Sequence, residues 1–346
     1  MNATAQPPLT LSCFSVADHY PPETYPGHRR TVAQLYEQLL EECLLAEELG
    51  YEIFFVAEHH FSEYGAVPNP AVWLAAAAAR TRRIKLAPAV AILPFRNPIQ
   101  VAEDYAMVDQ LSGGRLVMGV GSGYLAHEFQ GFGVDPQAKR LLFDEGLELL
   151  CRLWSGAPVR HAGTYHGLDQ VTLNVRPAGG RRPPVYIAVL REEAAYHVGR
   201  RGWNLMTVPY ATVDRFEDIG RLVAAYRRGV QESGASGDVL VALHTHVAET
   251  DAQARREAEA AFNLYVETRK YARRQTYDDI MRSGLSLMGG IATVADKLAR
   301  LRAMGVDHVL ALYNFGALAP ELAAASLRRL ACEVRPRVEG RAQAAS

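Results

Sequence analysis

The sequence predicts an α/β chain closed into a single (β/α)8 barrel, a TIM barrel with insertions in its βα loops. Eight short segments rich in β-branched and aromatic residues alternate with helical patterns along the chain. Eight such units is the number that closes a parallel barrel. No strand segment leads into GxGxxG or GxxxxGK[ST], the loops expected of an open nucleotide-binding sheet. The run Gly119-Val120-Gly121-Ser122-Gly123 has the glycines of a phosphate loop without its lysine.

The first unit is the apolar run Leu9 to Val16 followed by leucines and alanines at helical spacing from Val32 to Gly50. Glu52 to Ala57 then reads as a strand and Ala71 to Arg80 as a helix. Ile84 to Leu93 is the third strand, and Pro98 starts a helix that ends near Leu111, proline being favoured at the first helical position. Arg115 to Val120 is the fourth strand, with a helix from Lys139 to Trp154. Residues 155–182 are rich in Gly, Pro and Arg, with strand-like pieces such as Val171 to Val175, and read as an insertion. Val185 to Val189, Asn204 to Val208, Val239 to Val247 and His308 to Asn314 complete the strands. Residues 264–290, with Arg273, Arg274 and Tyr277, are polar and mixed and read either as a mobile lid or as a long connection. The whole of 1–346 is expected to form one domain, with frayed ends at 1–7 and 339–346.

Composition excludes several classes of function. The 346 residues are 49% hydrophobic and 22% charged, with mean hydropathy −0.08, which is the makeup of an ordinary soluble globular protein. A net charge of −1 gives no basic field to gather nucleic acid or anionic lipid. Cys13, Cys43, Cys151 and Cys332 are scattered without a CxxC pair, so neither a zinc site nor a disulfide framework is signalled, and a cytoplasmic location is expected. No run of about 18 apolar residues occurs.

In a barrel the βα loops build the active face, so functional groups are expected just after the strands. After the second strand stands Ala57-Glu58-His59-His60-Phe61. Imidazole titrates nearest neutral pH, and one of the two histidines suits a general base beside Glu58. In the blander alternative one imidazole is structural and only the other faces the pocket. His244 and His246 share one face of the seventh strand and raise a metal site with His59 as a rival. The early strand ends offer no further ligand, and no metal is expected. Tyr20, Tyr64, Tyr124, Tyr210, Tyr277 and Phe315, near strand ends, suggest an aromatic-lined pocket.

The segment from Ala57 to Gly65 with Asn69-Pro70, and the run Ile92-Leu93-Pro94, Asn97-Pro98, Ala102-Glu103-Asp104, Asp109 to Arg115 and Gly119-Val120-Gly121, closely resemble bacterial luciferase α-subunits. Phe129 to Gly133, Pro184 to Ala188, Gly305-Val306-Asp307 and Asn314-Phe315-Gly316 are similar to the wider luciferase-like monooxygenase family. The resemblance covers most of residues 8–338.

It implies a barrel that binds reduced FMN and lets O2 add at the flavin 4a position, the peroxide then oxygenating a small organic substrate. A separate flavin reductase is implied as the source of FMNH2, and a homodimer is expected. By position, His59 matches the catalytic histidine, with Glu58 and His60 as its neighbours. The Ala89-Val90 bond matches a non-proline cis peptide beneath the flavin ring, and Arg140 matches a cofactor-side arginine. Ser122, Tyr124, Val189, Leu190 and Arg191 fall on the remaining cofactor-binding positions. Ser122 stands where luciferases carry a phosphate-contacting arginine, and Leu190-Arg191 replace an acidic and a small polar residue. The Arg191 guanidinium, a planar bidentate donor, is expected to restore the phosphate contact, the alternative being a solvated surface arginine. Two other readings stay open: a deazaflavin-dependent hydride-transfer enzyme of the same fold, and a non-catalytic flavin-binding or partner subunit.

Overall fold

A computed structural model of the chain describes residues 9–269 and 274–344. In order, it comprises β1 Thr10–Ser15, α1 Val32–Glu48, β2 Ile53–Val56, α2 Pro70–Arg80, β3 Lys85–Pro88, β4 Ala91–Ile92, α3 Pro98–Ser112, β5 Met118–Gly121, α4 Ala126–Phe132 and α5 Lys139–Leu153. There follow β6 Val159–Ala162, β7 Gly167–Val171, β8 Val185–Ala188, α6 Glu192–Arg200, β9 Asn204–Thr207, α7 Ile219–Ser233, β10 Val239–Ala248 and α8 Asp251–Thr268. The chain ends with α9 Tyr277–Ser283, β11 Ser286–Gly290, α10 Ile291–Ala303, β12 His308–Leu312, α11 Pro320–Arg329 and α12 Arg335–Ala344.

All strands of the main sheet pair in parallel, in the order β3-β2-β1-β12-β10-β9-β8-β5-β4. The expected third strand is broken between β3 and β4, where the Ala89–Val90 peptide is cis. A parallel bridge between Leu86 of β3 and Leu116, two residues before β5, links the two sides of this order, with the Leu86 amide donating to Arg115 O and the Val117 amide to Leu86 O. The sheet therefore closes as a TIM barrel, as the sequence predicts. The Asp109 to Arg115 run fastens this seam: Asp109 Oδ1 accepts the Leu116 amide at 3.0 Å, and Arg115 donates to Thr81 Oγ1 and Ile84 O. Gly119 is required here, because a Cβ on it would lie 2.2 Å from Pro88 O.

The helices start where the sequence places caps. Thr31 and Gln34 form a capping box on α1, and Asn69 and Asn97 cap α2 and α3 ahead of Pro70 and Pro98. The insertion carries an antiparallel hairpin, β6–β7, pinned to α5 by Glu145, which accepts the His166 amide at 2.8 Å. Its second strand is Gly167–Val171 rather than Val171 to Val175.

Within 264–290, α9 and β11 are regular elements. β11 pairs with the end of β10 from His244–Ser286 to Ala248–Gly290. This strand was not anticipated, since five residues ending in two glycines carry almost no strand signal. Arg273 and residues 1–7 lie outside the described residues, and 339–344 continue α12. Among the described residues no helix is long and apolar enough to cross a membrane.

Candidate active site

The chain leaves β2 at Val56 and turns across the carboxyl-terminal face of the barrel. Glu58 and His59 are buried and His60 is half-buried. The His59 ring packs on Tyr64 at 4.6 Å between centroids and meets Tyr124 edge-on at 6.4 Å. His60 sits instead among Phe61, Phe95 and Phe132, the last at 4.7 Å. The two imidazoles thus enter different surroundings, as successive residues leaving a strand should.

Each histidine has its own carboxylate. Glu58 Oε1 lies 3.2 Å from His60 Nε2, and Glu58 Oε2 accepts the Ile92 amide at 3.4 Å, tying the pair to β4. Glu128, wholly buried on α4, places Oε1 3.1 Å from His59 Nδ1 and accepts the His60 amide with the same oxygen at 2.9 Å. An ionised carboxylate only accepts, so its contact fixes the proton on Nδ1 and leaves the Nε2 lone pair of His59 free to act. Gly65 closes the loop against this ring. A Cβ there would stand 2.8 Å from His59 Cβ and 2.9 Å from Val16 O.

Glu128 is the residue the sequence reading missed. It lies 69 positions from His59, and its only local signal is an acidic side chain in the first turn of a short helix.

At the neighbouring strand ends, the absent side chain of Gly121 lets the ends of β4, β5 and β8 meet. A Cβ at Gly121 would come within 2.6 Å of Val90 Cγ2 and 3.8 Å of Ala188 Cβ. Ser122, Arg140 and Val189 are brought together along one cleft between α5 and α6, with Ala194, His197 and Arg201. Ala89, Val90 and Leu190 are half-buried at neighbouring strand ends. Tyr124 stands by His59 rather than in the cleft. Arg191 occupies the N-cap of α6, exposed and outside the cleft lining. A hydroxyl and cationic side chains around a narrow cleft fit an anionic group such as a phosphate.

The other candidates are spent on packing. His244 Nε2 lies 3.3 Å from the buried Arg269 guanidinium, and burial pushes its pKa well down. His246 Nε2 pairs with Glu257 at 2.8 Å. Among the described residues no three His, Cys, Asp or Glu side chains converge to hold a metal. Tyr20, Tyr210, Tyr277 and Phe315 are buried. Only Tyr64 and Tyr124 of the six aromatic candidates adjoin His59.

A family model described as luciferase-like monooxygenase matches residues 12–308. 4-Hydroxyprotoasukamycin monooxygenase of Streptomyces nodosus subsp. asukaensis is 32% identical over 228 residues, 62% of this chain and 60% of that protein. The oxygenase component of flavin-dependent trigonelline monooxygenase of Acinetobacter baylyi is 25% identical over 332 residues, 89% of this chain and 91% of that protein. The crystal structure of monooxygenase RslO1 from Streptomyces bottropensis superposes with a TM-score of 0.81 at 26% identity, covering 94% of this chain and 99% of that one. F420-dependent glucose-6-phosphate dehydrogenase of Nocardia farcinica is 31% identical over 212 residues, 59% of this chain and 62% of that protein. The chain spans about three fifths of the length of several of its curated relatives.

Proposed function

The chain belongs to the luciferase-like monooxygenase family, and from that premise we propose that it is the oxygenase of a two-component system. It takes reduced FMN from a separate flavin reductase and uses O2 to oxygenate a small organic substrate. The observation that carries this reading is the buried Glu128–His59 pair on the carboxyl-terminal face of the barrel. One imidazole oriented by a buried carboxylate supports a proton-handling role in such a reaction.

Bound reduced flavin supplies the electrons and the reaction with O2. The protein's residues do the rest. Ala89 and Val90 would support the ring, and Ser122, Tyr124, Arg140, Val189 and Leu190 would hold the cofactor, whereas Arg191 lies outside the cleft. His59 Nε2 takes up and returns a proton as oxygen is transferred, while Glu128 keeps Nδ1 protonated and stabilises the imidazolium. Glu58 and His60 brace the ends of β2 and β4. Phe61, Phe95 and Phe132 pack against one another on that side of the site.

A separate reductase is favoured because the trigonelline relative is an oxygenase component and because no dinucleotide fingerprint is present here. A homodimer is supported by apolar side chains left outside the barrel. Met107 and Leu111, one turn apart on α3, are 53% and 58% exposed, and Val72 on neighbouring α2 is 69% exposed. The F420-dependent relative keeps hydride transfer with deazaflavin as the second reading.

The deciding experiment is an anaerobic titration with reduced FMN and reduced deazaflavin coenzyme, followed by oxygen-uptake measurement. Saturation by reduced FMN with oxygen consumption is expected. Saturation by deazaflavin alone, or flavin binding without oxygen consumption, overturns the reading.

A further inference from the structure

We propose that Arg201 is the second phosphate-binding guanidinium of this chain. It acts with Arg140 from the opposite wall of the α5–α6 cleft, and Asp144 positions both. The proposal rests on the FMN reading above.

Ser122 stands at the cleft without a charge to offer, and Arg191, the expected substitute, lies outside the lining. The charged or titratable groups that do line the cleft are Arg140, His197 and Arg201, with no carboxylate among them. Arg140 comes from the first turn of α5 and Arg201 from the C-cap of α6. A single carboxylate gathers them: Asp144 Oδ2 lies 2.7 Å from Arg140 Nε, and Oδ1 lies 3.0 Å from Arg201 Nη1.

Two guanidiniums against one carboxylate leave a net positive charge. Each keeps most of its five N–H donors unspent on Asp144. With one carboxylate shared between two guanidiniums, one unit of positive charge stays uncompensated, and an anion entering the cleft compensates it. The ligand chemistry is a phosphate ester, either the monoester of FMN or the diester of a deazaflavin coenzyme. A monoester brings the larger charge and is the better match.

The test is an anaerobic equilibrium titration of the full chain with reduced FMN, riboflavin and deazaflavin coenzyme. It compares the parent with Arg201→Ala, Arg201→Lys, Asp144→Asn and Arg191→Ala. Arg201→Ala is expected to weaken FMN binding about tenfold with riboflavin binding unchanged. Arg201→Lys should recover part of the loss, and Asp144→Asn should weaken FMN severalfold. Unchanged FMN affinity in Arg201→Ala, parallel losses for FMN and riboflavin, or a loss confined to Arg191→Ala overturns the assignment. A parent that binds riboflavin as tightly as FMN overturns both the assignment and the FMN reading. A parent that prefers deazaflavin coenzyme and loses it in Arg201→Ala supports the cleft and overturns FMN alone.

Discussion

Glu128 Oε1 lies 3.1 Å from His59 Nδ1, a buried carboxylate–imidazole pair formed between α4 and the end of β2. The same oxygen also takes the His60 amide, so one side chain sets both the tautomer of His59 and the path of the backbone after it. Replacing Glu128 with Gln keeps the shape and removes the charge that stabilises an imidazolium. Oxygen transfer in single turnover should fall about 100-fold, with a shifted pH profile and FMN affinity within about twofold. A parental rate with an unmoved pH profile would show the pair to be structural only.

His59 and His60 should separate cleanly. His59→Ala is expected to leave flavin binding largely intact while oxygen transfer falls about 100- to 10,000-fold. His60→Ala removes a ring from the Phe95–Phe132 cluster and the partner of Glu58. It should act mainly on stability, by about 1–3 kcal/mol. Comparable oxygen-transfer losses for both variants at equal flavin saturation would undo the assignment.

Gly65→Ala tests how tightly His59 is held. The added methyl group would meet His59 Cβ at 2.8 Å and a backbone oxygen at 2.9 Å. Relief requires moving the loop or the histidine, a misfit worth about 1–3 kcal/mol. The expected outcome is a folded protein with a lowered melting temperature and oxygen transfer reduced at least about tenfold. A variant indistinguishable from the parent in both would mean that the loop yields without disturbing the ring.

Lys297 gives a prediction about pH and stability. Burial, followed by the nearby Arg300, lowers its pKa from 10.5 to about 8; its ammonium donates to Ser286 O at 2.7 Å. The unfolded chain binds this proton more tightly, so the lysine costs stability below about pH 8, and stability rises between about pH 8 and 10.5. Charging it in the folded state corresponds to roughly 3 kcal/mol. Lys297→Met, offset by the carbonyl left without its donor, should raise stability at pH 7 by about 1–2 kcal/mol. The gain should fade towards pH 10.5 in urea titrations. A gain that does not change with pH would place its origin in packing rather than charge.

The sequence by itself determined the barrel. Strand and helix signals are local, because side-chain alternation and helical spacing depend on residues within a few positions of one another. All eight expected strand regions therefore recur in the sheet, and Asn69-Pro70 and Asn97-Pro98 mark real helix starts. The Glu58-His59-His60 motif was legible for the same reason, being one contiguous stretch at a strand end.

Tertiary structure alone decided which groups meet. Glu128 reaches His59 across 69 positions, and Arg140 and Arg201 share Asp144 from two different helices. His244 and His246 looked alike in sequence, yet one is packed against Arg269 and the other is paired with Glu257. β11 forms because β10 offers it a free edge for five residues, not because of its own composition. In each case the deciding term is a contact between segments distant along the chain, and barrel closure, not local propensity, sets which side chains come within hydrogen-bonding reach.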